Sequence, residues 1–239
     1  KFPAMRLTPF RATASATLLF SLLLSAAAFA QEAPRAKNVI LLIADGRGYN
    51  HIRATDFYEH GEVGKQVYEQ TFTSLFMSTY SASGAKGYDP QKAWSDPDYI
   101  RHGATDSAAA ATAMATGVKT YNGAIGVGPD KQPVPSVVDR AEELGKATGV
   151  ITSVMFSHAT PAGFVAHEGG RGRYEDIARD MLVDSKVDVI MGTGNPWFDA
   201  SGKFVAAVDD KGAITTPQNY SYVGGVDLWL QLLTGTLGG

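Results

Sequence analysis

The residues with the clearest chemical potential lie in the segment 104–117, which reads ATDSAAAATAMATG. Asp106 and Ser107 stand directly before a run of alanines, so we expect a helix to begin near Ser107. A hydroxyl there faces unpaired backbone N–H groups and the positive end of the helix dipole, a setting that favours a bound phosphate and an alkoxide. Ser107 is therefore a candidate nucleophile; the alternative is that both residues only cap the helix.

A serine hydroxyl is a weak nucleophile unless a base or a metal ion lies beside it. The chain has no G-x-S-x-G motif, which argues against the catalytic triad of an α/β-hydrolase. Asp45 follows the apolar run 37–44 (KNVILLIA) and precedes Gly46 and Gly48, which let the backbone turn sharply. A carboxylate at the end of a strand can hold a divalent cation and can bridge two of them.

Asp45 has two other interpretations. In the first interpretation, Asp45 is an ordinary aspartate of a turn or a helix cap. In the second it precedes a dinucleotide-binding loop, which is disfavoured because residues 49–51 lack the required third glycine.

Further polar candidates follow a second apolar stretch. His158 and Thr160 lie in the sequence SHATP; imidazole suits zinc, whereas a hydroxyl oxygen suits magnesium. Arg171 and Arg173 lie in GGRGRY, and an arginine fork can clamp two phosphate oxygens. The alternatives are a structural loop histidine and solvated surface arginines.

The elements that must position these residues follow from apolar patterning and turn signals. Buried strands are predicted at 37–44, 147–154 and 187–191, and helices at 136–144, ending at Gly145, and at 175–184. Strands that alternate with helices predict an α/β fold with a mainly parallel sheet. Ligands of such sheets bind beyond the carboxyl ends of the strands, which is where Asp45, His158 and Thr160 fall.

Two regions are predicted to be loops. Residues 80–101 are rich in Ser, Gly, Asp and Pro, and the chain beyond Gly192 lacks a clear periodicity.

Composition sets the class of protein. The chain has 239 residues, of which 44% are hydrophobic and 19% charged, as in ordinary globular proteins. A formal net charge of −3 excludes the concentrated positive charge that nucleic-acid binding needs. There is no cysteine, so stability must come from the core or from metal ions rather than from disulfides.

Residues 1–30 have the three parts of a secretory signal peptide. Arg6 and Arg11 give a basic start, residues 13–29 are apolar, and an A-x-A site predicts cleavage before Gln31. The alternative, a membrane anchor, is disfavoured by the serines and threonines of the apolar run, so we expect no stable anchor. The mature protein is expected in the periplasm or the extracellular medium.

Taken together, these segments resemble the alkaline phosphatase family from about residue 37 to residue 239. The most specific part is TDSAAAAT at 105–112, which is continued by GVKTYNG at 117–123. Asp45-Gly46, ATPA at 159–162 and VDVIMG at 187–192 occur in the family's order. The resemblance implies a three-layer α/β sandwich with a central, mostly parallel sheet.

The resemblance also implies site roles. Ser107 would attack phosphorus and bind a zinc ion, Asp45 would bridge that zinc to a magnesium ion, and Thr160 would bind the magnesium. Arg171 would hold two phosphoryl oxygens. His158 is assigned a tuning role without direct metal binding.

Asp106 is expected to support the site without binding a metal. The implied cofactors are two Zn²⁺ and one Mg²⁺, and the implied reaction is hydrolysis of small phosphomonoesters through a phosphoserine. A homodimer is a further expectation.

The chain departs from the family in length, because family members carry further Asp, His and Glu ligands in a second half. His167 is the last histidine, and no D-x-x-x-H or Asp-His pair follows Arg171. Residues 31–239 are therefore expected to be the N-terminal part of a catalytic domain and to be inactive alone. The alternatives are a related phosphodiesterase and a non-catalytic, exported fragment that binds phosphate or metal.

Overall fold

The computed structural model describes residues 36–75, 77, 79–83, 89–205, 209–211 and 219–237. The predicted signal peptide lies outside the described residues. The chain divides into two compact units, Lys1–Ala44 and Asp45–Gly239. No helix within the described ranges has the length and apolarity needed to cross a bilayer.

The apolar segment 37–44 is not the buried strand that its composition predicts. Ile40 and Leu42 are 84% and 90% exposed, and the segment has no helical or strand structure. A strand that is buried on both faces needs neighbouring strands and covering layers. Since the segment forms no strand and its apolar side chains are exposed, the prediction is wrong.

Helices α1 (Tyr49–His60) and α2 (Val67–Thr71) follow in the second unit. Apolar periodicity predicts neither of them, because polar residues dominate both. The buried carboxylate of Asp56 holds the turn between them, since it accepts hydrogen bonds from the backbone N–H groups of Gly64, Lys65 and Gln66 at 2.6, 3.2 and 3.1 Å.

The region 80–101 is not entirely the loop that its composition predicts. It contains helix α3 (Pro90–Ser95) and a 3₁₀ turn at Tyr99–Arg101. Proline at the first helical position and the Asp89 carboxylate, which accepts from two backbone N–H groups, explain where α3 begins.

Helix α4 (Ser107–Thr116) begins where the sequence predicts and is the centre of the core. Its residues Ala108, Ala111 and Ala115 are completely buried. The small side chains allow a close approach by helix α6 (Ala159–Ala162), because a Cβ atom on the adjoining Gly163 would lie 2.7 Å from the Cβ of Ala111.

The described sheet consists of two parallel strands, β1 (Gly149–Met155) and β2 (Val189–Thr193), close to the predicted positions. Gly149 pairs with Val189 and Ile151 with Met191. The strands are less buried than predicted, since Ile151 is 74% and Met191 56% exposed. In a sheet of two strands, the outer edge of each strand and much of both faces of the sheet are uncovered.

A helix precedes each of these strands, as the α/β prediction requires. Helix α5 (Val137–Glu143) is capped by Ser136 and precedes β1. Helix α7 (Tyr174–Arg179) continues as a π-helical turn at Asp180–Asp184 and precedes β2. The described residues thus form part of an α/β domain with a parallel sheet.

The chain beyond Gly192 is not the continuous loop that was predicted. It contains a 3₁₀ turn at Tyr220–Val223 and helix α8 (Gly225–Thr234). Glycines in the left-handed conformation flank α8, and Trp229 packs edge-to-face against Trp197 with the ring centroids 5.5 Å apart.

Candidate active site

Asp106 is the N-cap of α4, and its two carboxylate oxygens have different partners. Oδ1 accepts from the backbone N–H of Ala109 at 2.9 Å. Oδ2 accepts from the N–H of Gly123 and from Nη1 of Arg171, both at 3.0 Å. The capping alternative therefore holds for Asp106, which in addition ties Arg171 to the start of the helix. Ser107 is the first helical residue.

The Asp45 carboxylate joins the first turn of α4 to α6. Its Oδ2 accepts a hydrogen bond from Oγ1 of Thr160 at 2.6 Å. This hydrogen bond is the largest influence on the pKa of Asp45, and it lowers that pKa. A hydrogen bond from Ser107 and the positive charge of Arg171 lower the pKa further. Burial raises the pKa, but the net effect of all these influences is a lowered pKa. Asp45 is therefore ionised at neutral pH.

Arg171 is fixed by its backbone as well as by its side chain. Its N–H donates to the carbonyl of Gly123 at 2.7 Å, and the Tyr121 hydroxyl donates to the carbonyl of Gly169 at 3.1 Å. One nitrogen of the guanidinium binds Asp106, which leaves the rest of the fork for a ligand. Because Arg171 and Asp106 are partly exposed, a ligand can reach them.

Arg173, the second arginine candidate, is not part of this group. Its guanidinium forms ion pairs with Glu168 at 2.7 Å and with Asp176 at 2.8 Å. Arg173 therefore stabilises the turn that leads into α7.

His158 caps α6 through its backbone, and its ring stacks on Tyr174 with the ring centroids 5.9 Å apart and the planes at 23°. Burial is the main effect that lowers the pKa of His158, and the positive charge of Arg171 adds to it. The imidazole is therefore neutral at pH 7.

The donor set fits part of a divalent-cation site. The oxygen atoms of Asp45, Ser107 and Thr160 are the hard ligands that magnesium prefers. Zinc sites in enzymes use about three protein ligands. Within the described ranges no three His, Cys, Asp or Glu residues form a group that could hold a metal.

The structure thus brings the six predicted site residues together.

Two further side chains, which sequence reasoning missed, hold the segments next to the site through hydrogen bonds to the backbone. The side chain of Asn122 accepts from the N–H of Asp106 at 3.2 Å and donates to the carbonyl of Ala104 at 2.9 Å. Ser157 donates to the carbonyl of Tyr222 at 2.9 Å. An Asn-Gly pair at 122–123 is a turn signal, whereas nothing local predicts the contact of Tyr222.

Comparison with known proteins gives consistent results. A family model described as alkaline phosphatase matches residues 36–220. The chain is 36% identical over 183 residues to alkaline phosphatase 4 of Bacillus subtilis, covering 72% of this chain. It is 34% identical over 183 residues to the alkaline phosphatase of Escherichia coli, covering 68% of this chain. The chain spans 36% of the length of each of these relatives.

Two solved structures share the fold. The alkaline phosphatase of the Antarctic bacterium TAB5 matches with a TM-score of 0.55 and 37% identity, over 70% of this chain and 43% of that one. A cold-active alkaline phosphatase from Shewanella sp. matches with a TM-score of 0.53 and 36% identity, over 66% of this chain and 36% of that one.

Proposed function

Because the chain belongs to the alkaline phosphatase family, we propose that the protein containing it hydrolyses phosphomonoesters with Ser107 as the nucleophile. The observation that carries this proposal is the meeting of three distant segments. Asp45 accepts a hydrogen bond from Thr160 and interacts with Ser107 and with the charge of Arg171, so a hydroxyl, a carboxylate and a guanidinium lie near one another. A guanidinium beside a hydroxyl is suited to bind the oxygens of a phosphoryl group.

Ser107 performs the covalent step. Its Oγ forms a bond to phosphorus while the bond from phosphorus to the ester oxygen breaks, and the alcohol leaves. Water then attacks the phosphoserine, which releases inorganic phosphate and restores the hydroxyl. The N-terminus of α4 stabilises negative charge at Ser107 in both steps, because Ser107 is the first helical residue and lies at the positive end of the helix dipole.

Arg171 and Asp106 act as a pair. The guanidinium binds non-bridging phosphoryl oxygens, whose negative charge is the main feature that a phosphoryl-transfer site must stabilise. Asp106 holds the guanidinium at the start of α4, so little side-chain entropy is lost when the substrate binds.

We further propose two Zn²⁺ and one Mg²⁺ as cofactors. Asp45, Ser107 and Thr160 would supply oxygen ligands, and the remaining ligands would come from outside the described residues. Bound cations would lower the pKa of the Ser107 hydroxyl and offset negative charge on the reacting oxygens. His158, whose ring stacks on Tyr174, would support the site as a neutral imidazole without binding a metal itself.

The substrates proposed are small phosphomonoesters, because Ser107 and Arg171 recognise the phosphoryl group itself. We propose an exported protein, on the basis of the sequence of residues 1–30, and a homodimer as its assembly. Size-exclusion chromatography with light scattering tests the assembly, and fractionation of the expressing cells tests export.

The main test uses the full-length gene product with p-nitrophenyl phosphate in the presence of Zn²⁺ and Mg²⁺. We expect metal-dependent release of p-nitrophenol and a phosphoenzyme that can be trapped by acid quenching with ³²P-labelled substrate. Ser107→Ala should remove the phosphoenzyme and lower kcat/KM by at least about 10³-fold, as expected for loss of a nucleophile. The exposed Ser95→Ala, at the end of α3, is the matched control and should leave both unchanged.

Turnover with no trapped phosphoenzyme, or full activity in Ser107→Ala, would contradict the proposal. A wild-type protein that binds phosphate without turnover would instead be the non-catalytic binding protein.

A further inference from the structure

A second feature of the unit Asp45–Gly239 is a cavity of about 400 Å³ next to α1 and α2. Tyr49, Ile52 and Arg53 of α1 and Tyr68 and Glu69 of α2 contribute to its lining. A cavity of this size accepts an aromatic ring with one or two substituents. Two tyrosines and an arginine among the lining residues offer both stacking surfaces and a positive charge.

Arg47 adds a second positive charge against Tyr68, one of the side chains that line the cavity. Its guanidinium carbon lies 5.1 Å from the centroid of the Tyr68 ring, which is within the range of a cation–π interaction. Stacking on a ring face orients the guanidinium while its N–H edges stay available to an anion. Arg47 and Arg53 form no ion pair with a carboxylate of the described residues.

The carboxylates nearest to this cavity are already engaged by backbone donors. Glu69 accepts a hydrogen bond from the N–H of Gln66 at 3.2 Å. Asp56 is completely buried and accepts three backbone hydrogen bonds in the turn between α1 and α2. The lining thus contains one guanidinium, that of Arg53, and one carboxylate, that of Glu69, and Arg47 adds a further positive charge against Tyr68.

The cavity is close to the phosphoryl site along the chain. Arg47 follows Asp45 by two residues and Tyr49 follows it by four. A fully extended chain covers at most about 3.5 Å per residue, so the Cα atoms of Tyr49 and Asp45 are at most about 14 Å apart. A phosphomonoester whose phosphoryl group is held by Ser107 and Arg171, both of which interact with Asp45, can thus extend its alcohol part toward the cavity.

We infer that this cavity, with Arg47 beside it, is a subsite for the leaving group of the substrate and favours an aromatic leaving group with a second negative charge. The inference rests on the proposed phosphatase function, because it concerns the alcohol part of the same substrate. Tyr49 and Tyr68 provide the stacking surfaces, and Arg47 and Arg53 bind the anion. A carboxylate and a second phosphate both satisfy this requirement.

The test compares two substrates in the full-length gene product, 4-carboxyphenyl phosphate and phenyl phosphate. They differ by one carboxylate, so the ratio of their kcat/KM values isolates recognition of the second charge. We expect a ratio above one that falls about tenfold in Arg47→Gln, the loss of one charge-assisted hydrogen bond. Added salt should lower the wild-type ratio, because it screens the charges that recognise the carboxylate.

Matched variants separate this effect from damage to the fold. Arg140→Gln, an exposed arginine on α5 that pairs with Glu143, should leave the ratio unchanged. Arg47→Lys keeps the charge and should keep most of the preference. If Arg47→Gln does not fold, Arg53→Gln carries the test, with the same expected fall in the ratio.

Two failures are distinguishable. If wild type hydrolyses both substrates with a ratio of one or less, or if neither arginine variant changes the ratio, the subsite is wrong and the phosphatase proposal stands. If wild type forms no phosphoenzyme with either substrate, the proposed function is wrong and the subsite falls with it.

Discussion

At the scale of single residues, Asp106 connects local helix formation to the chemistry of the site. One carboxylate caps α4, accepts from the turn at Gly123 and holds Arg171. A cap alone needs only one oxygen, so the second oxygen is free to position an arginine that comes from 65 residues further along the chain. The side chain that starts the helix therefore also orients the group proposed to bind phosphate.

Asp106→Asn should weaken substrate binding through Arg171. Its amide replaces one acceptor oxygen by a donor, so either Ala109 or the Gly123 and Arg171 pair loses its acceptor. We expect kcat/KM for p-nitrophenyl phosphate to fall about tenfold, mostly through KM.

The test of this prediction is a double-mutant cycle with Arg171→Ala. If Asp106 acts through Arg171, Asp106→Asn should cost less than about threefold in the Arg171→Ala background. An equal loss in both backgrounds would show that Asp106 acts by another route.

Asp180 gives a prediction about stability and pH away from the site. Burial is the main effect that raises its pKa, and it accepts a hydrogen bond from the N–H of His167 at 3.0 Å. Between its unfolded pKa of about 3.9 and its higher folded value, the native state binds more protons. Its contribution to stability is therefore present at low pH and is lost as pH rises through the folded pKa.

Asp180→Asn removes this titration and keeps an oxygen that accepts from His167. The free energy of unfolding of the variant minus that of wild type should therefore be more positive at pH 7 than at pH 4. Urea unfolding of the full-length protein at the two pH values measures the difference. The opposite trend would mean that the ionised form of Asp180 is stabilised in the folded protein.

At the scale of elements, α4 is held to the loop that follows it by one buried hydroxyl. Thr112 is completely buried; it donates to the carbonyl of Ala124 at 3.0 Å and accepts from the N–H of Gly126 at 2.9 Å. This contact fixes the loop that runs past Asn122 and Gly123 to the site. Packing of α4 thus influences the position of Arg171 indirectly, because Arg171 binds the carbonyl of Gly123.

Thr112→Val should destabilise the protein by about 1–3 kcal/mol. Valine has nearly the same shape, but it leaves the buried N–H of Gly126 and the carbonyl of Ala124 without this partner. Thermal or urea unfolding of the full-length protein measures the loss. Thr234→Val, whose exposed hydroxyl bonds only within and just after α8, should change stability by less than about 0.5 kcal/mol.

At the scale of the whole molecule, two observations predict how residues 31–239 behave alone: exposed apolar side chains and a small number of metal ligands among the described residues. Ile40, Leu42 and Ile151 are strongly exposed. The described residues also contain no group of three His, Cys, Asp or Glu that could hold a metal. A site with one carboxylate and two hydroxyls has too few ligands for two zinc ions.

Residues 31–239 expressed alone should therefore show no zinc-dependent turnover of p-nitrophenyl phosphate. Their exposed apolar side chains should bind the dye ANS strongly, as surfaces that lack their packing partners do. The full-length gene product, under the same conditions, is the positive control. Turnover by the purified fragment that Ser107→Ala abolishes would refute this prediction.

Much of the local structure followed from the sequence. The start of α4, the helix before β1, and the approximate positions of β1 and β2 were predicted, because caps, propensities and apolar runs act within a few residues. Helix α8 was missed, although Val226, Leu230 and Leu233 recur at helical spacing. The burial of segment 37–44 was predicted wrongly, because composition cannot tell whether neighbouring strands cover it.

The candidate nucleophile was thus determined by the sequence itself, since Asp106 caps a helix that Ser107 and the following alanines begin. Only the tertiary structure decided what surrounds it. The bond from Thr160 to Asp45 joins residues 115 positions apart, and the bond from Arg171 to Asp106 spans 65. No local preference encodes such contacts, because they form only when the packing of α4 against α6 and the turn at Gly123 brings distant segments together.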